Sequence, residues 1–289
     1  MNLRAKLGRV ERWLMGGGSA VQEAARLGGG VQQVAEDALG FRFILDPCDA
    51  AHQRILVERE YDRALFQAMK RLIRPGNVVF DVGAHVGEIS VLAARLSQAD
   101  GIVFAFEPVA ESCARFRENV ALNGCENISL HAVAVGERAG TVTMNVFPAA
   151  YSAWSSRGKP LYAGADGVPV AHSTAVDAPC VTLDEFCTAQ EIPRIHFLKV
   201  DVEGYECDVF RGAARLLGER RIDLICFEIS QIPLKGAGRT AREIFEILEG
   251  FNFLSYRFDE RTNKFAGPVR DSAEAWTNYF AAAKAPENW

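Results

Sequence analysis

Val78-Val79-Phe80-Asp81-Val82-Gly83-Ala84-His85-Val86-Gly87-Glu88 is the stretch that decides the fold. A short run of β-branched and aromatic residues meets an acid and then two glycines. An apolar helical pattern follows through Ile89, Leu92, Ala93 and Leu96. That order predicts a buried strand, a tight loop and a helix. Only a residue without a Cβ lets backbone approach a ligand closely where such a strand ends. In an open parallel sheet, ligands settle at that edge, where the strand order reverses. The spacing Gly83-x-x-x-Gly87 is not G-x-G-x-x-G, and no G-x-x-x-x-G-K-[ST] occurs. A nucleotide-like ligand is expected there, without a specific demand for a pyrophosphate.

The rest of the chain repeats this rhythm. Ile102–Phe106 reads as a second strand ending in Glu107-Pro108, followed by a helix from about Ala110 to Leu122 and a stop at Asn123-Gly124. Ile128–Val135 reads as a third strand, with Gly140–Phe147 pairing beside it. His196–Asp201 and Ile222–Phe227 read as the fourth and fifth strands, the latter followed by Glu228. A helix is expected from Gly204-Tyr205-Glu206 through Leu217 and another over 240–249, with late strands at Phe251–Phe258 and Trp276–Ala282. Upstream, Phe41–Leu45 reads as a strand and Glu58–Ile73 as a helix stopped by Pro75-Gly76. Such alternation predicts parallel strands joined by right-handed crossovers.

Two segments stand apart. Residues 2–15 place Leu3, Leu7, Val10 and Leu14 at helical spacing, with Arg4, Lys6, Arg9 and Arg12 around them. They read as a helix docked on its own domain or on a second copy; lying on an anionic membrane is the rival reading. Residues 148–179 lack periodicity but carry Tyr151, Trp154, Tyr162 and His172, which predicts a partly ordered substrate-side loop. The expected domains are a helical extension over 1–40 and one α/β domain over 41–289.

Composition narrows the function. With 49% hydrophobic and 24% charged residues the chain has ordinary globular composition, and its net charge of −5 argues against a nucleic-acid partner. No apolar run approaches the ~20 residues of a membrane span, and no secretory signal is evident. Seven scattered cysteines without C-x-x-C point to a reduced, cytoplasmic protein.

Asp81, Glu107 and Asp201 end three strands and Glu228 follows a fourth, so these acids should rim one crevice. Glu107 is placed to accept hydrogen bonds from both hydroxyls of a ribose. The competing reading, a cap on the next helix, is weakened by Pro108 and by glutamate being a poor cap.

Val78–Gly87, Phe104-Ala105-Phe106-Glu107-Pro108 and Asn123 through Gly140 resemble class I S-adenosylmethionine-dependent methyltransferases. Val181-Thr182-Leu183-Asp184-Glu185-Phe186, followed by Phe197-Leu198-Lys199-Val200-Asp201-Val202-Glu203-Gly204-Tyr205-Glu206, resembles the FkbM family in particular. The resemblance implies a Rossmann-like, seven-stranded, mostly parallel sheet with one antiparallel strand and helices on both faces. It implies S-adenosylmethionine as cofactor and O-methylation of a hydroxyl on a small acceptor such as a sugar or polyketide-type product. By the same resemblance, Asp81, Gly83, Ala84 and Gly87 hold the methionine part, Glu107 the ribose, and backbone at Ala134 and Val135 borders the adenine. His85 departs from the asparagine often found in that loop.

On the acceptor side, Asp201 is the first candidate for base or orienter, and His85 is the second because imidazole titrates near neutrality. His131 and His196 read as structural, while His172 is a more distant candidate. Lys199 shares a strand face with Asp201 and is expected to neutralise a carboxylate. No metal is expected; Asp201, Glu203 and Glu228 are the hard oxygen donors that would hold Mg²⁺. The rival functions are an NAD-dependent dehydrogenase or epimerase, disfavoured by the missing third glycine, and a non-catalytic Rossmann-like module. Homo-oligomerisation is compatible with the sequence but not specified by it.

Overall fold

The structure is a computed structural model and describes residues 33–47, 49–59, 62–158, 170–172 and 174–284. Its centre is an eight-stranded sheet. Strands β3 (Val78–Val82), β4 (Ile102–Phe106), β5 (Ile128–His131), β9 (Ile195–Val200) and β10 (Ile222–Ser230) run parallel in the order β5-β4-β3-β9-β10. The sheet continues antiparallel through β13 (Trp276–Ala282), β11 (Leu254–Asp259) and β12 (Lys264–Val269). The order reverses between β3 and β9, the crevice predicted to hold a ligand. The expected doubly wound α/β fold is present, with β12 added as an eighth strand at the edge.

Alternation along the strands sorts side chains onto two dry faces. Val79, Val103, Phe197, Cys226 and Phe280 pack on one side with Phe43 and Leu45 of β2 (Arg42–Leu45). Helices α1 (Ala50–Glu58), α2 (Arg63–Leu72) and α3 (Glu88–Ser97) cover that face. Phe80, Val82, Leu198, Val200, Phe227 and Tyr279 pack on the other. Helices α5 (Leu183–Ala189), α6 (Glu206–Arg211), α7 (Ala214–Gly218), α8 (Gln231–Gly236) and α9 (Ala241–Gly250) cover them. Between β4 and β5 runs α4 (Ala110–Asn123), whose Phe116 packs on Ala84 and Ala105.

Several expectations are corrected. Ile128–Val135 is not one strand: it breaks after His131, and β6 (Ala134–Val135) joins a separate three-stranded sheet. Here β7 (Gly140–Val146) pairs antiparallel with β8 (Thr174–Val181), not with the third strand. The expected 148–179 loop therefore contains a strand at its end, and Ala149–Trp154 forms a short 3₁₀ turn tied back to β7 by an Asn145–Ser156 bridge. The Glu58–Ile73 helix starts later, because Asp62 caps Leu65 N–H, and Asp49 caps the unforeseen α1. The helix expected through Leu217 is split at Gly212, where the Gly136 carbonyl stands 2.0 Å from the place a Cβ would take. Within the 1–40 extension, Gln33–Glu36 (β1) is a strand paired with β2, not a helix. The basic helix read over 2–15 lies outside the described residues. No helix among the described residues is long and apolar enough to cross a membrane.

Candidate functional site

Strand register carries a row of polar groups across one face at the sheet's carboxyl edge. Asp81 pairs with Lys199 across β3 and β9, and Lys199 pairs with Cys226 on β10. Glu228 lies two residues further on and pairs with Asn278. All point towards the α3 side, since Val79, Phe197, Cys226 and Phe280 share that face. The α3 hydroxyl of Ser90 accordingly donates to Asp81 Oδ2 at 2.5 Å.

The glycine loop closes over this edge. Gly83 and Ala84 N–H groups both donate to the Phe106 carbonyl at 3.0 Å. Gly83 lies in the left-handed region at φ +84°, and Gly87, at φ +98°, caps α3 against the Phe116 ring. His85 is the non-glycine exception at φ +45°. Its N–H is held by Glu107 Oε2 at 2.9 Å, while Glu107 Oε1 accepts from Val109 N–H at 2.8 Å. Glu107 N–H in turn donates to the His131 carbonyl, fixing the end of β5 beside it.

These carboxylates are short of positive charge. Burial pushes Asp81 up to about 6, Glu107 to about 7 and Glu88, at the start of α3, to about 8. Asp81 raises both glutamates further. Glu228 is raised well above the usual carboxylate range by burial and by Asp201. Among the described residues one buried lysine faces them: Lys199 Nζ meets Asp201 Oδ2 at 3.0 Å. Burial disfavours the lysine's charge, but Asp201, Cys226 and Glu228 together outweigh it and hold Lys199 above its ordinary value. Glu88 Oε1 and Glu206 Oε2 are buried without a hydrogen-bond partner. A desolvated, electron-rich rim of this kind suits a cationic ligand rich in N–H and O–H donors.

A second cluster adjoins the loop. His85 Nε2 lies 2.8 Å from Ser152 Oγ, and Ser152 Oγ lies 2.6 Å from Asp49 Oδ2. The His52 ring sits beside His85, with centroids 5.7 Å apart. Burial, then His52, pulls His85 down to about 4, so it is neutral at pH 7. Among the described residues, two trios bring ligand-type atoms within 4.8 Å of one another: Asp201, Glu203, Glu228 and Asp49, His52, His85.

The structure thus brings together Asp81, Gly83, Ala84, His85, Gly87, Glu107, Asp201 and Glu228. Ala134 and Val135 are buried in β6, paired with Cys180 and Val181, and follow His131 after two residues. His131 packs on Phe104, Phe106 and Phe186. His196 Nδ1 accepts from Val78 N–H at the opposite end of the sheet, and His172 is exposed. Asp49, His52, Glu88 and Ser152 escaped the sequence reading. Asp49 alone had a local signal, as an N-cap before a helix.

The Methyltransferase FkbM domain model matches residues 81–258. The chain is 24% identical over 208 residues to Methyltransferase 1 of Beauveria bassiana, covering 68% of this chain and 78% of that one. It is 25% identical over 194 residues to the 2-O-methyltransferase NoeI of Sinorhizobium fredii, covering 65% and 78%. To the hexuronic acid methyltransferase AglP of Haloferax volcanii it is 28% identical over 159 residues, covering 53% and 56%.

Proposed function

The chain belongs to the FkbM methyltransferase family, and on that premise we propose that it O-methylates a hydroxyl of a sugar or related small acceptor. S-adenosylmethionine, when bound, supplies a methyl carbon on a positively charged sulfur. The residues present fit it: the buried acids Asp81, Glu88 and Glu107 carry raised proton affinity, and Lys199 offsets that of Asp81 in part. The observation that carries the reading is Glu107. Its two oxygens are held by His85 and Val109 N–H groups beside the glycine loop, with lone pairs left for a diol.

In this reading Asp81, Gly83, Ala84 and Gly87 surround the methionine part, Glu107 takes the ribose, and the chain at Ala134 and Val135 borders the adenine. Asp201 and His85 face the acceptor. Holding donor and acceptor in line supplies on the order of 7–11 kcal/mol of the barrier. The sugar assignment is supported by the names of two relatives, a 2-O-methyltransferase and a hexuronic acid methyltransferase.

Calorimetry with S-adenosylhomocysteine and with NAD⁺ tests the donor, and binding of the first alone is expected. Methyl transfer to hexosides and hexuronic acids, each compared with its 2-O-blocked form, tests the acceptor. Binding of NAD⁺ but not S-adenosylhomocysteine would overturn the reading.

A further inference from the structure

We infer that Asp49, Ser152 and His85 form a hydrogen-bond relay that fixes the His85 proton on Nε2 and leaves Nδ1 as the base for the acceptor hydroxyl. The assignment of that proton follows from donor counting. Asp49 Oδ1 accepts from Ala51 and His52 N–H at 2.8 and 3.3 Å, capping α1. Asp49 Oδ2 accepts from Ser152 N–H at 3.2 Å and Oγ at 2.6 Å. Both oxygens thus receive N–H donors, the acceptor role a carboxylate offers at each oxygen. The Ser152 hydroxyl must therefore spend its one proton on Asp49. Only lone pairs remain on Oγ towards His85 Nε2 at 2.8 Å, so Nε2 is the donor. In a neutral imidazole the other nitrogen, Nδ1, is then bare.

The same counting removes the rival use of this trio as a metal site. His52 Nδ1 accepts from Asp46 N–H at 3.0 Å, so the His52 proton sits on Nε2, where a metal would have to bind. That Nε2–H is buried and lacks a hydrogen-bond partner. A donor nitrogen and an acceptor nitrogen on adjacent rings are what a hydroxyl needs to be both held and deprotonated.

The relay rests on the O-methylation reading for its role. The acceptor oxygen forms the new O–C bond with a lone pair. The C–S bond breaks with its electrons staying on sulfur, and the hydroxyl proton passes to His85 Nδ1. The resulting imidazolium points Nε2–H at Ser152, backed by the Asp49 charge. His85 touches the reacting group; Asp49 and Ser152 are positioning residues. The titratable groups acting on the ring are Asp49 and His52 from the α1 segment and Asp201 just past β9, while Glu107, just past β4, holds the His85 backbone N–H.

Long-range ¹⁵N–¹H correlation spectra of the full chain labelled in histidine, with His85→Gln for assignment, read the proton directly. At pH 7, His85 should carry it on Nε2 alone, and Ser152→Ala should mix the two tautomers. A proton on Nδ1, or a Ser152→Ala spectrum identical to wild type, overturns the relay. In turnover, Ser152→Ala should lower kcat about tenfold or more with unchanged S-adenosylhomocysteine affinity, and Ser152→Thr should restore it. Equal loss in both variants, or lost donor affinity, counts against the relay. A wild type with the Nε2 tautomer but no methyl transfer refutes the function while leaving the relay standing.

Discussion

The carbonyl oxygen of Asp201 lies 1.7 Å from the point where a β-carbon on residue 83 would stand. The loop and the end of β9 therefore touch backbone to backbone, and only glycine permits it. Gly83→Ala must both strain a φ of +84° and push β9 away. Strain and overpacking of about 1–3 kcal/mol each predict a loss of at least ~2 kcal/mol in urea unfolding, with weakened donor binding. Gly124→Ala, also at positive φ but with open space around the new carbon, should cost about 1 kcal/mol and leave binding intact.

Glu107→Ala should weaken S-adenosylhomocysteine binding by ~2–4 kcal/mol, through two charge-assisted hydrogen bonds whose losses are partly non-additive. It also frees the His85 and Val109 N–H groups, so the loop should gain hydrogen-exchange rate at both positions. Unchanged affinity in calorimetry would remove Glu107 from the donor pocket.

Asp201→Asn leaves Lys199, which is 2% exposed, without the charge 3.0 Å away. Breaking a buried pair from one side predicts a stability loss of about 3 kcal/mol. Turnover should fall about tenfold or more while donor affinity holds. Lys199→Met in the same chain should recover part of the stability but not the turnover. Equal loss of donor affinity and turnover would place Asp201 in the donor pocket instead.

Stability should decline as pH rises. Glu107 and Glu88 have ordinary values of 4.5 and folded values of about 7 and 8; Asp81 moves from 3.8 to about 6. Between each pair of values the folded chain keeps a proton that the unfolded chain has released. The contribution is full below about pH 4 and is lost by about pH 8. Melting curves from pH 5 to 8 should show a falling Tm, and Glu88→Gln should flatten it. A Tm that rises with pH through this window would contradict the burial of these acids.

Where local chemistry and tertiary placement agree, the sequence was readable. Val78–Glu88 and Ile102–Pro108 needed only periodicity and glycine positions, and their strand, loop and helix are found in register. Ile128–Val135 misled because its apolar alternation runs through a break that tertiary pairing with β8 imposes. Asp49 and Ser152 are 103 residues apart and neither sits in a patterned segment, so no local signal could join them. His85 was visible as a candidate, but the proton on its ring depends on partners that only the fold supplies.

Two residues separate β5 from β6, and β6 hydrogen-bonds to β8 through Ala134–Cys180 and Val135–Val181. The platform of β6, β8 and β7 thus hangs from the main sheet by a dipeptide strap beside Glu107. For anyone exchanging platforms between relatives, the transplantable cassette begins at the strap and ends past Val181. A cut placed inside it, at the β7–β8 hairpin alone, would orphan β6 and slacken the chain beside Glu107 along with it.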